Sequence, residues 1–347
     1  MKALNQLLRT NIQNLKPYSS ARDEFTGEAA VFLDANENPF NQPYNRYPDP
    51  YQRMVKDKIA ELKAVHAANI FLGNGSDEPI DLLFRAFCEP GIDNVVSIDP
   101  TYGMYQVAAD INNVEVKKVL LTRDFKLDVE ELLVQCDDNT KLMFICSPNN
   151  PTGNCFNEED IVQLIKRFEG IVVLDEAYID FAPDKSLLPK LDKYPNLVVL
   201  QTFSKAWGMA GIRLGMAFAS QEIVGVLSNI KYPYNINVLT QEKALELLER
   251  ESDKNEWVKQ LLAERETMAQ RLEQLTFVRK VYPSDANYIL IKVLEPRAVY
   301  DFLVTKQIII RDRSTVSLCK GCLRISIGQP AENSLLLEAL SLYGKNQ

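Results

Sequence analysis

In the stretch TFSKAWGMAGIRLG, Thr202 to Gly215, one lysine stands between an apolar run and three glycines. An amine is a nucleophile only when neutral, so a lysine on a loop at a strand's carboxyl end is suited to covalent and proton-transfer chemistry. The plainer reading of Lys205 is a surface charge. IVVLDEAYIDF sets Asp175 at the end of an apolar run and Tyr178 three residues on. A carboxylate there is costly to bury without a cation, and none is adjacent in sequence; a protonated ring nitrogen on a ligand would serve. A helix-capping aspartate and a core tyrosine are the alternatives. In SPNNPTG, Asn150 precedes Pro151, which marks either a turn or an amide aimed into the same crevice. GNGSDE, Gly73 to Glu78, promises a tight turn, an N-cap at Ser76 and free N–H groups at a helix start, a phosphate site. It is neither a dinucleotide fingerprint, because Glu78 takes the third glycine position, nor a P-loop, because no lysine follows.

These residues need a scaffold that brings strand ends together. Apolar runs near residues 70, 95, 116, 143, 173, 199 and 216 alternate with amphipathic stretches such as DEPIDLLFRAF and EEDIVQLIKRF. That alternation predicts an α/β sheet with helices on its faces. The link from NLVVLQT to RLGMAFA is too short for a helical crossover, so that pair is expected to be antiparallel in an otherwise largely parallel sheet. From Ser220 to about Leu275 the pattern is helical, interrupted at Pro233. NYILIKV, QIIIRD and CLRISIG then predict shorter strands, with helical PRAVYDFLV and AENSLLLEALSLYG, in a smaller α+β domain.

At 347 residues, 46% hydrophobic and 25% charged, the chain is sized for a large core and two subdomains. A net charge of -8 with no basic run argues against nucleic acid or an anionic membrane surface as partner. MKALNQLLRTNIQNL lacks a signal-peptide apolar core, and no run is long enough to span a bilayer, so a cytoplasmic location is expected. Six cysteines fit reduced thiols, and Cys319 and Cys322 in CKGC read as a turn entering a strand, since no second close pair completes a zinc site. The single histidine, His66, reads as a surface residue of a polar helix. No metal is expected.

SPNNPTG, LDEAY and SKAWGMAGIRLG, in this order and with GNGSDE and PTYGMY upstream, resemble the pyridoxal-phosphate aminotransferases of fold type I. The resemblance implies a large domain with a mostly parallel seven-stranded sheet plus a smaller α+β domain. It places the large cofactor-binding domain at 41–245, the small domain at 246–347, and in 1–40 a segment serving the small domain and a dimer. It makes Lys205 the lysine that condenses with the cofactor aldehyde and then shuttles a proton. Asp175 would keep the pyridine nitrogen protonated, Asn150 and Tyr178 would hold the ring's phenolic oxygen, and Tyr102 would stack on the ring. Ser76, Asp77, Ser204 and Arg213 would hold the phosphate, with Gly208, Gly211 and Gly215 turning the backbone toward it.

LKPYSSA, LDANENPF, NRYPDP, IIIRDRS and GCLRISIG narrow this to a resemblance to the histidinol-phosphate aminotransferases, from about Leu15 to Gly328. That family implies L-histidinol phosphate and glutamate or 2-oxoglutarate as substrates. Arg324 would take the glutamate α-carboxylate or the substrate phosphate with Arg311 assisting, an ion pair with Asp312 or a nearby acid being the plainer reading, and Arg313 is expected to be structural or peripheral. Tyr18 and Asn36 would line the substrate site, a core tyrosine and a turn-forming asparagine being the plainer readings. Tyr47 would reach the cofactor phosphate of a neighbouring subunit, implying a homodimer, with a core tyrosine as the plainer reading. Threonine-phosphate decarboxylase and an aromatic-amino-acid aminotransferase are the alternatives on this scaffold; a sensor-type regulator would need a DNA-binding module that this chain does not offer.

Overall fold

The computed structural model describes residues 2–18 and 30–345. Seven strands form the larger sheet: β1 (Ile70–Asn74), β2 (Asn94–Asp99), β3 (Glu115–Leu120), β4 (Thr140–Cys146), β5 (Ile171–Asp175), β6 (Leu197–Thr202) and β7 (Leu214–Phe218), in spatial order β1-β7-β6-β5-β4-β2-β3. The pairs from β3 across to β6 are parallel, while β7 is antiparallel to both β6 and β1. The short link expected to reverse the chain does so: between β6 and β7 lies only a single 3-10 turn, Ala210–Ile212.

Strands β4 to β7 are buried almost throughout, as continuous apolar runs demand when helices cover both faces. Alternation along the strands divides the core. Phe71, Phe144, Val173 and Leu200 meet Phe84 and Phe87 of helix Asp77–Phe87 on one face, and Leu72, Met143, Val172 and Val199 meet Ile161 and Leu164 of helix Glu158–Arg167 on the other.

A second sheet holds β8 (Val278–Val281), β9 (Tyr288–Val293), β10 (Arg311–Asp312) and β11 (Cys322–Ser326), in antiparallel order β10-β11-β9-β8. One of its faces packs Ile289, Ile291, Leu323 and Ile325 against Met268, Leu303 and Leu340 of flanking helices. Helix Glu251–Glu273 links the two cores, with Val258 beside Tyr178 near one end and Met268 in the smaller core near the other.

Two boundaries differ from expectation. The N-terminal segment, over residues 2–14, packs on the larger sheet's layer and not on the small domain: Leu7 joins the core of helix Asp77–Phe87, and Arg9 donates to the Arg85 carbonyl at 3.0 Å. Leu4, Leu7 and Leu8 in an otherwise polar stretch account for this. The division at residue 245 falls inside helix Val238–Leu248, whose Ala244 and Leu248 both join the large-sheet core. His66 is exposed as expected, but the helix before it stops at Lys63, and its Nδ1 instead accepts from the Ala68 N–H to start a 3-10 turn. Among the described residues no helix is long and apolar enough to cross a membrane.

Candidate active site

The parallel strands β4, β5 and β6 end side by side, with Cys146 in register with Asp175. Their carboxyl ends, with the turn after β1, enclose a cavity of about 150 Å³ lined by Asp77, Tyr102, Asn150, Asp175, Tyr178 and Lys205, among others. Open α/β sheets leave such crevices where neighbouring crossovers diverge.

Asp175 is buried, and among the described residues no cation pairs with it. Its Oδ2 accepts from the Tyr105 hydroxyl at 2.6 Å and its Oδ1 from the Ala177 N–H at 3.0 Å. Burial raises its pKa, while Tyr105 and Ala177 oppose that shift. A carboxylate so placed suits a cationic group on a ligand. Its neighbour Glu176 is also buried and is pushed up to about 7 by burial, despite donors from Leu187 N–H at 2.8 Å, Ser186 Oγ at 2.7 Å and Gln201 Nε2 at 2.9 Å.

Lys205 reaches the cavity from the loop after β6, its Nζ 5.4 Å from the Tyr178 ring centroid. Loss of water, then the positive charge of Arg324, holds the amine below the ordinary lysine range, with Asp175 and Asp77 pulling the other way. The residue stays open enough at the cavity mouth for another molecule to approach.

The opposite end of the cavity is a cradle for an anion. Gly75 is left-handed at φ 70°, and a Cβ on it would lie 2.7 Å from Arg213 Nη2. Gly215 packs so tightly on this turn that a Cβ would lie 2.4 Å from the Ser76 nitrogen. Of the other two glycines, Gly208 is left-handed at φ 64°, whereas Gly211 shows neither constraint and Arg213 itself is left-handed at φ 55°. Ser76 stands at the N-cap position as expected, yet its hydroxyl does not cap the helix; Glu78 folds back instead, accepting from the Asn74 N–H at 2.5 Å. The hydroxyls of Ser76 and Ser204, the Arg213 guanidinium and the first N–H groups of the helix thus face one space. Arg213 is held loosely, its Nη2 3.6 Å from Asp77 and its Nη1 donating to the Ala210 carbonyl at 3.4 Å.

Between these ends, Asn150 lines the cavity, and its Oδ1 accepts from Arg324 Nη1 at 2.5 Å. Tyr178 meets Tyr288 edge to face at 5.2 Å, and the Tyr288 hydroxyl donates to the Asn149 carbonyl at 2.6 Å. Tyr102 lies at the rim, its hydroxyl bonded to Asp77 at 3.1 Å and its ring edge-on to Tyr105.

The structure thus brings together Ser76, Asp77, Tyr102, Asn150, Asp175, Tyr178, Ser204, Lys205 and Arg213 in one cavity, with Arg324 beside them. It does not bring in the others. Tyr47 is half exposed and stacks on Tyr234 at 4.5 Å, Tyr18 is exposed, and Asn36 is left-handed at φ 54°, a turn conformation. Arg311 lines a neighbouring cleft that also touches Arg324. Tyr105 and Tyr288 escaped the sequence reading. Tyr105 follows Tyr102 by three residues in PTYGMY, and that closeness to a ring-stacking tyrosine was the available signal.

The family pattern of aminotransferase class I and II matches residues 27–340. Histidinol-phosphate aminotransferase of Parabacteroides distasonis is 59% identical over 340 residues, covering 98% of this chain and 99% of that one. That of Cytophaga hutchinsonii is 55% identical over 345 residues, covering 98% and 99%. Among solved structures, the histidinol-phosphate aminotransferase from Clostridium acetobutylicum aligns with a TM-score of 0.81 at 26% identity, over 88% of this chain and 92% of that one. An L-threonine-O-3-phosphate decarboxylase from Porphyromonas gingivalis, at 24% identity and a TM-score of 0.73 over 86% and 93%, shares the fold. With its lysine, aspartate and anion cradle in one crevice and this similarity along almost its whole length, the chain belongs to the aminotransferase class I and II family.

Proposed function

We infer that the protein is a histidinol-phosphate transaminase that uses pyridoxal phosphate to move an amino group between L-histidinol phosphate and 2-oxoglutarate, in L-histidine biosynthesis. The observation that carries this reading is the similarity to histidinol-phosphate aminotransferases over nearly the full chain. The cavity fits the cofactor: a buried carboxylate without a cation at one end, an anion cradle at the other, and a depressed lysine between them. When bound, pyridoxal phosphate supplies an electron sink for the pair released at the substrate carbon.

This chain's residues supply the rest. Asp175 would hold a proton on the ring nitrogen, fixed in place by the Tyr105 hydroxyl. Lys205, neutral at a lower pH than a solvent lysine, would take the proton from the substrate carbon and return it to the cofactor side. Asn150 and Tyr178 would donate to the ring's phenolic oxygen. Ser76, Asp77, Ser204 and Arg213 would hold the phosphate, and Tyr102 would cover the ring face. Arg324 would bind the substrate's anionic group, with Arg311, Tyr18 and Asn36 completing the substrate side.

We also propose a cytoplasmic homodimer in which Tyr47 serves the partner's cofactor phosphate; its exposure here is consistent with a role beyond its own subunit. Two functional domains are proposed, meeting along helix Glu251–Glu273.

The test is spectroscopic. Adding L-histidinol phosphate to the cofactor-loaded protein should abolish its visible absorbance band, and 2-oxoglutarate should restore it. A band indifferent to histidinol phosphate, together with carbon dioxide release from L-threonine phosphate, would transfer the protein to the decarboxylases.

A further inference from the structure

One face of the smaller sheet is apolar and packs on its own helices; the other carries three arginines. Register sets Arg311 opposite Arg324, and the Arg313 N–H donates to the Cys322 carbonyl at 2.9 Å, continuing that register by one pair. Residues two apart on a strand share a face, and so do directly opposed residues, so Arg311, Arg313 and Arg324 stand on the same side. Tyr288, paired with Ser326, stands there too, and its bond to the Asn149 carbonyl shows that this side looks at the ends of the large sheet. Asp312 alternates to the other side, where it accepts from the Ser314 N–H at 2.8 Å.

Among the described residues no carboxylate pairs with any of these three guanidiniums. The Nε atoms of Arg313 and Arg324 are both buried without an acceptor. Arg313 lies within electrostatic range of Arg324 and Arg311, and of Tyr178 and Tyr288 on the same side of the sheet. Three cations on one sheet face without a carboxylate partner repel one another, and the ligand that relieves this best carries more than one negative charge.

We propose that Arg313 is a specificity-determining residue, completing with Arg311 and Arg324 a cradle that favours the doubly charged phosphate of a monoester substrate over a singly charged carboxylate. The proposal rests on the transaminase reading, in which two substrates use one cavity in turn, one presenting a phosphate and the other a side-chain carboxylate. A phosphate monoester carries close to two charges at neutral pH, and the glutamate side chain carries one.

The experiment measures the two half-reactions separately, in single turnovers of the cofactor-loaded protein, for wild type, Arg313→Gln and Arg313→Lys. Inhibition by inorganic phosphate is measured alongside. Arg313→Gln should weaken both histidinol phosphate and inorganic phosphate about tenfold or more, as loss of a charge-assisted bond requires, and leave glutamate within about twofold. Arg313→Lys should recover part of the loss, and the maximal single-turnover rate should change little in either variant. Equal losses for both substrates, or no loss for either, would overturn the proposal. A wild-type protein that reacts with glutamate but ignores histidinol phosphate would refute the histidinol-phosphate reading instead, and the change in phosphate inhibition of the glutamate half-reaction would still decide the role of Arg313.

Discussion

At the residue scale, Asp175 and Glu176 are adjacent buried carboxylates with different surroundings. Asp175 opens on the cavity, and Glu176 is enclosed by three donors from the chain. Only the first is placed for a ligand cation. Glu176 has the larger consequence for stability against pH. Its folded pKa, about 7, lies above its ordinary 4.5, so between those values the folded protein keeps a proton that the unfolded chain has lost. Stability from this group is therefore fully present below pH 4.5 and declines as pH rises toward 7, by up to roughly 3 kcal/mol. Glu176→Gln should flatten that decline, as urea midpoints at pH 5 and pH 8 would show; an unchanged slope would assign the pH dependence elsewhere. Lys205→Ala should lower turnover by at least about a thousandfold with the far-ultraviolet dichroism unchanged, because proton transfer is lost and the packing is not. Retained turnover would remove Lys205 from the chemistry.

At the element scale, the cradle depends on β7 lying hard against the turn after β1. Gly215 permits this: an added Cβ would meet the backbone of Gly75 and Ser76 at 2.4 Å, atoms that cannot rotate away. Gly215→Ala should cost about 1–3 kcal/mol and weaken cofactor retention, measured by urea denaturation and by the dissociation constant for pyridoxal phosphate. A variant that kept full affinity would show that the cradle tolerates a shift of β7. Much of this element was legible beforehand. The length of the β6–β7 link gave the strand reversal, the order of apolar runs gave the sheet, and SPNNPTG, LDEAY and SKAWGMAGIRLG gave the three loops that meet. The difference between Gly215, held by contact, and Gly211, held by nothing, was not legible, because both look alike along the chain. The partner of Asn150 was equally hidden, since Arg324 arrives from a separate sheet.

At the scale of the whole molecule, the site is built by two sheets, and the sequence spoke more clearly for one than for the other. Lys205, Asp175 and Asn150 come from consecutive strand ends, where local pattern and position agree. Tyr47, Tyr18 and Arg311 stand away from the cavity of their own chain, and a single sequence does not say which copy of the chain a side chain serves. Tyr47 is the informative one, stacked on Tyr234 and half open to solvent. If it completes the partner's cradle, the particle should have a mass near twice 39.4 kDa, and its two sites should each need both chains. Mixing variants separates this from action within one subunit. Tyr47→Ala and Lys205→Ala should each be impaired alone. In a hybrid, one site collects both changes and the other neither, so random remixing of equal amounts should restore about a quarter of wild-type activity. Were Tyr47 to act on its own chain's Lys205, every site in the hybrid would carry one defect and no activity would return. Rescue would thus fix Tyr47 as a residue that acts across the interface, and its absence would return it to the surface of a single subunit.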